Sequence, residues 1–263
     1  MLTLRDQAGT TIALCFMITI LFMNPVVIST SLQYSCCFLI AFVGICLVGR
    51  LKNLPKSTSG LFMVLGQATM FFDFYTAPII TWGLPLVALL AIHRKEQKST
   101  LHSAFHLLLT TLGMWCIGYV GMWLFKMILN TLLANQNGFS IIKQFFYYTG
   151  NTPTPEALPE FTALEALFSC LKKVFSLQNR LALFILVPVF IGYQFYTHRK
   201  HGLRVTDNSI WGYAGVMVLP VIWILCSRQA SGGHAYFQYR MLAASVFAGL
   251  CFAAQLFESR KKA

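Results

Sequence analysis

Long apolar runs alternate with short clusters of basic residues along nearly the whole chain. An α-helix needs about 20 predominantly apolar residues to cross the hydrocarbon core of a bilayer. The runs that approach this length are residues 10–29, 34–49, 58–74, 77–92, 104–126, 181–197, 209–226 and 239–256. The pattern predicts an all-α fold, a polytopic bundle of about eight transmembrane helices that forms a single membrane domain over residues 1–263.

The composition favours a membrane protein, because too few charged residues are present to cover a water-facing surface. Of the 263 residues, 57% are apolar and 11% are charged, whereas soluble proteins carry about 25% charged residues. The net charge of +12 comes largely from basic clusters between the runs, within residues 50–56, 94–98, 199–204 and 260–262. Basic loops tend to stay cytoplasmic. We therefore expect a protein of the inner (cytoplasmic) membrane with both termini cytoplasmic, and no nucleic-acid partner.

One acidic residue, Asp73, stands inside the apolar stretch "FFDFYTAPIITWGLPL", with no other charge in the 14 residues on either side. An unpaired carboxylate in hydrocarbon is costly. Residues 58–92 are too long for one crossing, and Pro78 favours a turn or a helix start. The stretch is therefore predicted to form a hairpin of two helices, with Asp73 at its outer mouth.

The predicted outer loop, residues 127–180, contains an amphipathic pattern. Its apolar residues recur at helical spacing: Phe161, Leu164, Leu167, Phe168, Leu171, Val174 and Phe175. Glutamates lead this segment and Lys172 and Lys173 close it, as the helix dipole favours. The pattern predicts a helix over about residues 160–175, lying on the outer membrane surface with lipid as its partner. It either packs over the bundle or forms a lid over a substrate site.

Candidate chemistry lies at the predicted outer ends of the helices. The last outer loop, "SRQASGGHAYFQYR", contains Arg228, His234 and Arg240. Together with Asp73, these residues could bind a lipid-linked phosphate and deprotonate an acceptor hydroxyl, or they could form a structural ion cluster. Lys126, near the end of its run, either extends its ammonium group to the lipid headgroups or contacts a phosphate.

The sequence predicts no metal site and no cofactor. His102 and His106 have the i, i+4 spacing that two metal ligands need, but no third ligand is evident. The eight cysteines show neither C-x-x-C nor zinc spacing. No Walker loop, G-x-S-x-G or H-E-x-x-H motif is present. Gly118 and Gly121 would permit a close approach between helices.

Three stretches, "MFFDFYTAPIITWGLPL", "MWCIGYVGMWLFKMIL" and "HAYFQYR", resemble a family of bacterial polytopic membrane proteins over about residues 60–245. That family carries D-F-x-T-x-P, G-Y-x-G-M-W-x-x-K and H-x-x-F-x-Y-R motifs in this order. It is similar to the GT-C class of cell-envelope glycosyltransferases, which use polyprenyl-phosphate sugars outside the cytoplasm. Position by position, the resemblance implies functional roles for Asp73, Lys126, His234, Tyr239 and Arg240.

The resemblance implies a catalytic residue, Asp73, that orients or deprotonates the acceptor, and a donor phosphate bound by Arg240 and His234 with help from Lys126. Compared with the family, this chain looks short at its N-terminus, and "ASGG" replaces the Asn-His-Ser that often precedes the last motif. A shortened enzyme, inactive alone or completed by a partner membrane subunit, is therefore one expectation. A transporter or lipid flippase and a non-catalytic assembly subunit are the alternatives.

Overall fold

A computed structural model describes residues 2–29, 35–51, 55–72, 75–96, 100–134, 137–150, 159–175, 181–201 and 208–256. Asp73 lies outside these residues. The described residues contain helices and turns but no strand, in agreement with the predicted all-α class. The helices are α1 Leu2–Ala8, α2 Thr10–Phe22, α3 Pro25–Ser29, α4 Cys36–Leu51, α5 Pro55–Phe72, α6 Ile80–Lys95, α7 Leu101–Leu133, α8 Ile141–Thr149, α9 Ala163–Val174, α10 Val187–His201, α11 Trp211–Cys226, α12 Arg228–Gly233, α13 Ala235–Gln238 and α14 Leu242–Leu256.

Three helical stretches of the described residues are long and apolar enough to cross a membrane. They are Leu101–Leu133, Asn208–Cys226 and Ala235–Leu256, and shorter apolar helices lie at Thr10–Phe22, Cys36–Leu51 and Leu183–Thr197. The chain is therefore a helical protein compatible with membrane insertion. The count of eight crossings stays a prediction.

Helices α5 and α7 run in the same direction and pack along each other, while α6 returns between them. A Cβ atom on Gly66 would lie 2.1 Å from the Trp115 carbonyl oxygen, and one on Gly118 would lie 2.0 Å from that of Met63. Glycine is thus required for the two backbones to touch here. Gly121, in contrast, faces open space, so it plays no part in this contact.

The bundle has two ends, the Lys126 end and the Arg94 end, each called after a basic residue that lies there. At the Lys126 end, α5, α7 and α11 finish and α6 and α14 begin. At the Arg94 end, α6 and α14 finish and α7 and α11 begin. Contacts between Lys126 and the end of α5, and between Arg94 and the end of α14, fix this alternation.

Helix α6 is the centre of the bundle, since every residue from Ile80 to Ile92 is buried. Its polar groups find partners on neighbouring helices. The Thr81 hydroxyl oxygen accepts a hydrogen bond from the Trp115 indole at 2.9 Å and lies 2.7 Å from the Thr69 hydroxyl. The Trp82 indole donates to the Thr111 hydroxyl at 3.2 Å. These side-chain bonds tie α6 to α5 and α7.

The run predicted as residues 10–29 is divided between α2 and α3. Asn24 separates the two helices with a φ of 57°. The following residue, Pro25, disfavours the right-handed helical region for Asn24 and is itself well suited to the first position of a new helix. The break therefore follows from the Asn-Pro pair in the sequence.

The segment predicted as outer loop 127–180 begins with helix, because α7 continues from the predicted end at 126 to Leu133. The apolar pattern persists through "MILNTLL", which explains the extension. Helix α8 then ends at Gly150, whose φ of 76° makes it a left-handed C-cap.

Helix α9 lies within the range of the predicted amphipathic helix. The Thr162 hydroxyl accepts from the Glu165 backbone N–H, and the Glu165 carboxylate accepts from the Thr162 backbone N–H at 2.8 Å. These bonds hold the pKa of Glu165 below its ordinary value. Ala166, Cys170 and Val174 are buried against the bundle, whereas Leu164 and Phe168 are exposed. The location of α9 at a membrane surface stays a prediction.

We expect Thr81→Val to destabilise the bundle by about 1–3 kcal/mol, because it leaves the buried Trp115 indole N–H without an acceptor. Thermal unfolding in detergent would measure the change. Thr110→Val is the matched control, since Thr110 adjoins Thr111 but belongs to no hydrogen bond of this network. Equal melting temperatures for the two variants would contradict a stabilising role for Thr81.

Candidate functional site: a polar pocket around Lys126

Lys126 binds the end of a neighbouring helix. Its ammonium group donates to the carbonyl oxygens of Met70 at 3.0 Å and Phe71 at 2.8 Å, in the last turn of α5. It also lies 5.3 Å from the centre of the Phe71 ring. The last carbonyls of a helix have no partner within it and carry partial negative charge. Lys126 therefore caps α5 from α7.

The Lys126 side chain also lines a pocket of about 530 Å³, a size typical of ligand sites. The other lining residues are Met70, Trp123, Met127, Asn130, Gly138, Ser140 and Ile141. A lysine ammonium has three N–H donors, and two of them face the α5 carbonyls. The described residues offer the ammonium group no third hydrogen-bond acceptor, so one donor is available to a ligand in the pocket.

The chemistry of the lining suits an anionic, hydroxylated ligand. Asn130 offers an amide and Ser140 a hydroxyl, and the first turn of α8, which contains Ile141, adds a partial positive charge. Lys126 contributes a full charge. Lysine ammonium groups are common ligands of phosphate. The pocket can therefore bind a phosphate together with polar groups attached to it.

Arg240 lies apart from solvent, with 2% of its surface exposed. Its Nε donates to the Met23 carbonyl at 2.9 Å and its Nη1 to the Tyr236 carbonyl at 2.6 Å. The Tyr239 ring packs 4.9 Å from the guanidinium carbon. Nη2 is buried and has no hydrogen-bond partner among the described residues. Arg240 thus holds the end of α2 against α13.

Arg228 makes a similar contact with α8. Its Nη2 donates to the Gly150 carbonyl oxygen at the end of that helix. A Cβ atom on Gly150 would lie 2.1 Å from Arg228 Nε, so both the positive φ and the guanidinium require glycine at this position. In this arrangement Arg228 stabilises α8 and is not part of the lining of the Lys126 pocket.

Short helix α12 holds α9 in place. The buried amide of Gln229 donates to the Pro159 carbonyl at 2.7 Å and accepts from the Phe161 backbone N–H at 3.2 Å.

Burial raises the pKa of the Cys170 thiol to about 12, so this cysteine stays protonated and is not a nucleophile at neutral pH.

The remaining predicted residues lie in different surroundings. His234 is exposed, in the turn between α12 and α13. Tyr239 is buried, with its ring 6.0 Å from that of Phe22. Of the predicted residues that the structure describes, Lys126 is the one that lines the polar pocket.

The prediction that Asp73 lies near Arg240 or His234 falls outside the described residues and stays a prediction. Backbone carbonyls on both sides of Asp73, at Phe71 and Tyr75, accept hydrogen bonds from other segments. Lys126 binds the Phe71 carbonyl, and the Gln238 amide donates to the Tyr75 carbonyl. The stretch that contains Lys126 and the stretch that contains Gln238 thus each contact the backbone close to Asp73.

An aromatic cluster at the Lys126 end had no counterpart in the sequence prediction. The Tyr75 ring lies 5.0 Å from that of Tyr148 and 5.8 Å from that of Trp223. Burial, and to a lesser extent the neighbouring Tyr148 and Cys226, raise the pKa of Tyr75 to about 12. The phenol is therefore neutral at physiological pH.

The sequence analysis also did not identify Asn130 and Ser140 of the Lys126 pocket, because no local motif marks these residues.

The chain matches no family model, no curated protein and no solved structure in comparisons with known proteins. The resemblance to the bacterial family and to GT-C enzymes therefore stays a prediction.

We expect Arg240→Lys to lower the melting temperature, because an ammonium group cannot reach both carbonyls in the geometry of a guanidinium. His234→Ala should leave it nearly unchanged, since the imidazole is exposed. Thermal unfolding of the purified variants in detergent measures both. A larger loss from His234→Ala would contradict the structural role assigned to Arg240.

Proposed function

We propose that this chain is a multi-pass protein of the inner membrane that binds a lipid-linked phosphate in the Lys126 pocket and transfers the attached sugar. The observation that carries the proposal is a cation with an unused donor, in an open polar pocket, beside the end of a helical hairpin. Such a transferase would resemble polyprenyl-phosphate-sugar-dependent enzymes that act outside the cytoplasm.

The orientation proposed here has the Lys126 end outside. Arg94 and Lys95 lie at the opposite end of the bundle, in one of the basic clusters. Cationic loops near helix ends favour the cytoplasmic side. With eight crossings, every short basic cluster would be cytoplasmic and the pocket would open towards the outer leaflet, where the headgroup of a lipid-linked sugar is accessible.

In the proposed reaction, the acceptor hydroxyl oxygen forms a bond to sugar C1 while the bond from C1 to the phosphate oxygen breaks. The bonding electrons leave with the lipid phosphate, so negative charge grows on that oxygen. Lys126 is placed to stabilise this charge, which is the largest expected contribution to catalysis. The hydroxyl proton goes to a base, for which Asp73 remains the predicted candidate. No metal or cofactor is part of the proposal.

A lipid flippase or transporter is the second candidate, and the break between α2 and α3 favours it. Discontinuous helices are common at the binding sites of transporters, where charged groups often meet the ends of the half-helices. Here the Met23 carbonyl at the break accepts from the buried Arg240. A flippase would move the same lipid phosphate across the bilayer without cleaving it.

We expect Lys126→Gln to weaken binding of a polyprenyl phosphate by about tenfold or more, since one charge-assisted contact to phosphate contributes about 1.5–3 kcal/mol. Native mass spectrometry of the detergent-solubilised protein with added undecaprenyl phosphate would measure it. Lys143→Gln is the matched control, because Lys143 is an exposed cation on α8 at the same end. Equal losses in both variants would mean that only general charge attraction is involved.

The orientation predicts that a cysteine at position 140 reacts with a membrane-impermeant thiol reagent in intact cells, whereas one at position 95 is protected. Both side chains are exposed, and the test uses a background without the native cysteines. Labelling at 95 and protection at 140 would place the Lys126 pocket on the cytoplasmic side and rule out an extracytoplasmic transferase.

A further inference from the structure

The half of the bundle at the Arg94 end has two features of its own, an apolar groove of about 630 Å³ between α7 and α11 and a buried cluster of polar side chains. The cluster contains Nη1 of Arg94, the hydroxyl of Tyr213 and the side-chain oxygen of Gln255, which are buried and have no hydrogen-bond partner among the described residues. Tyr213 is 1% exposed and Gln255 is 5% exposed. Buried polar groups without partners are destabilising, so three of them together require an explanation.

The three groups belong to three helices that meet at this end. Nη2 of Arg94, at the end of α6, donates to the Gln255 carbonyl oxygen of α14 at 3.3 Å. The Tyr213 hydroxyl of α11 lies close enough to interact with the Gln255 side chain and with the Arg94 charge. Gly212, beside Tyr213, packs on α6 one turn before Arg94, since a Cβ atom there would lie 3.5 Å from Leu90 Cδ2.

The directions of the helices make these side chains converge. The Cα–Cβ bonds of a helix tilt towards its N-terminus. Arg94 and Gln255 stand in the last turns of α6 and α14 and therefore lean back into the bundle, whereas Tyr213 stands in the first turn of α11 and leans towards the Arg94 end. The three side chains thus face one closed space between α6, α11 and α14.

The chemistry of this space favours an anion over a water molecule. Arg94 can only donate, and the Tyr213 hydroxyl can donate as well. A half-turn of the Gln255 amide exchanges its oxygen and nitrogen without a change of shape, so it too can present a donor. Arg94 has no carboxylate partner among the described residues. A positive charge and three convergent donors therefore face a space in which no acceptor is present.

We propose that Arg94, Tyr213 and Gln255 form a buried binding site for a small monovalent anion such as chloride. The anion accepts one hydrogen bond from each group and compensates the charge of Arg94, whose second nitrogen keeps its contact with α14. Arg94 is half-buried, so its side chain is the part of the site that reaches the surface. The site lies at the opposite end from the Lys126 pocket and does not depend on the proposed transferase activity.

The test removes one donor without changing the shape of the core. Tyr213→Phe deletes the buried hydroxyl and keeps the ring. Tyr193→Phe is the matched control, because Tyr193 on α10 is 63% exposed. Wild type and both variants are purified in detergent, and their thermal unfolding is measured in sodium chloride and in sodium gluconate at equal ionic strength, since gluconate is too large for a closed site.

Wild type and Tyr193→Phe should melt about 3–5 °C higher in chloride than in gluconate, at a chloride concentration about ten times its Kd. Bromide should replace chloride. Tyr213→Phe should lose most of this difference. In gluconate, Tyr213→Phe should melt no lower than wild type, because the hydroxyl has no partner to lose when the anion is absent.

Three outcomes would overturn the proposal. Equal melting temperatures of wild type in the two salts would mean that no anion binds. A Tyr213→Phe variant that melts lower than wild type by the same amount in both salts would show that the cluster holds a water molecule. A chloride effect that Tyr213→Phe retains in full would place the ion elsewhere on the protein.

Discussion

Contacts between cations and the C-terminal ends of helices hold this bundle together. Within the part of the chain that the structure describes, five basic side chains donate to carbonyl oxygens in the last turn or the cap of a different helix: Lys126 to α5, Arg240 to α2, Arg228 to α8, Arg94 to α14 and Lys95 to α1. The chain has 20 lysines and arginines but only 8 acidic residues, so carboxylate partners are scarce. Helix carbonyls, with their partial negative charge and missing intrahelical partners, take that place. Each contact also gives a hydrogen-bond partner to a carbonyl at a helix end, where the helix itself supplies none.

This arrangement explains why the predicted site residues separate into two kinds. Arg240 and Arg228 use rigid guanidinium groups on backbone carbonyls, and Arg240 is further enclosed by aromatic rings. Lys126 makes the same kind of contact but leaves one donor towards an open pocket. Binding an anion at Lys126 therefore needs no loss of the α5 contact, whereas an anion at Arg240 would have to enter packed surroundings. Lys126 is therefore the better placed of the two cations to meet an anion from outside the packed core.

The apolar pattern of the sequence was sufficient to locate helices in each of the eight predicted runs, because burial in the bundle or in lipid requires a sustained apolar stretch. Helix ends were less predictable. Helix α7 passes residue 126 because "MILNTLL" remains apolar, while the Asn24–Pro25 pair, a readable turn signal, divides the first run. The Lys126 pocket depends on Asn130 and Ser140, which are brought together by the turn at Gly138. Such a contact between segments has no local sequence signature.

The two cavities differ in a way that follows from their position relative to the buried helix α6. At its beginning, the pocket combines apolar side chains with three polar ones, Lys126 and Asn130 of α7 and Ser140 of the turn before α8, and Lys126 is the cation among its lining residues. Along the opposite half of the bundle, α7 and α11 touch through Gly215 and present only apolar side chains beside that contact. The pocket at one end and the apolar groove at the other both lie beside a glycine at which two segments meet closely, Gly138 and Gly215. Both cavities therefore follow one packing rule, in which small residues fix the contacts and the larger side chains beside them define the shape and polarity of the cavity.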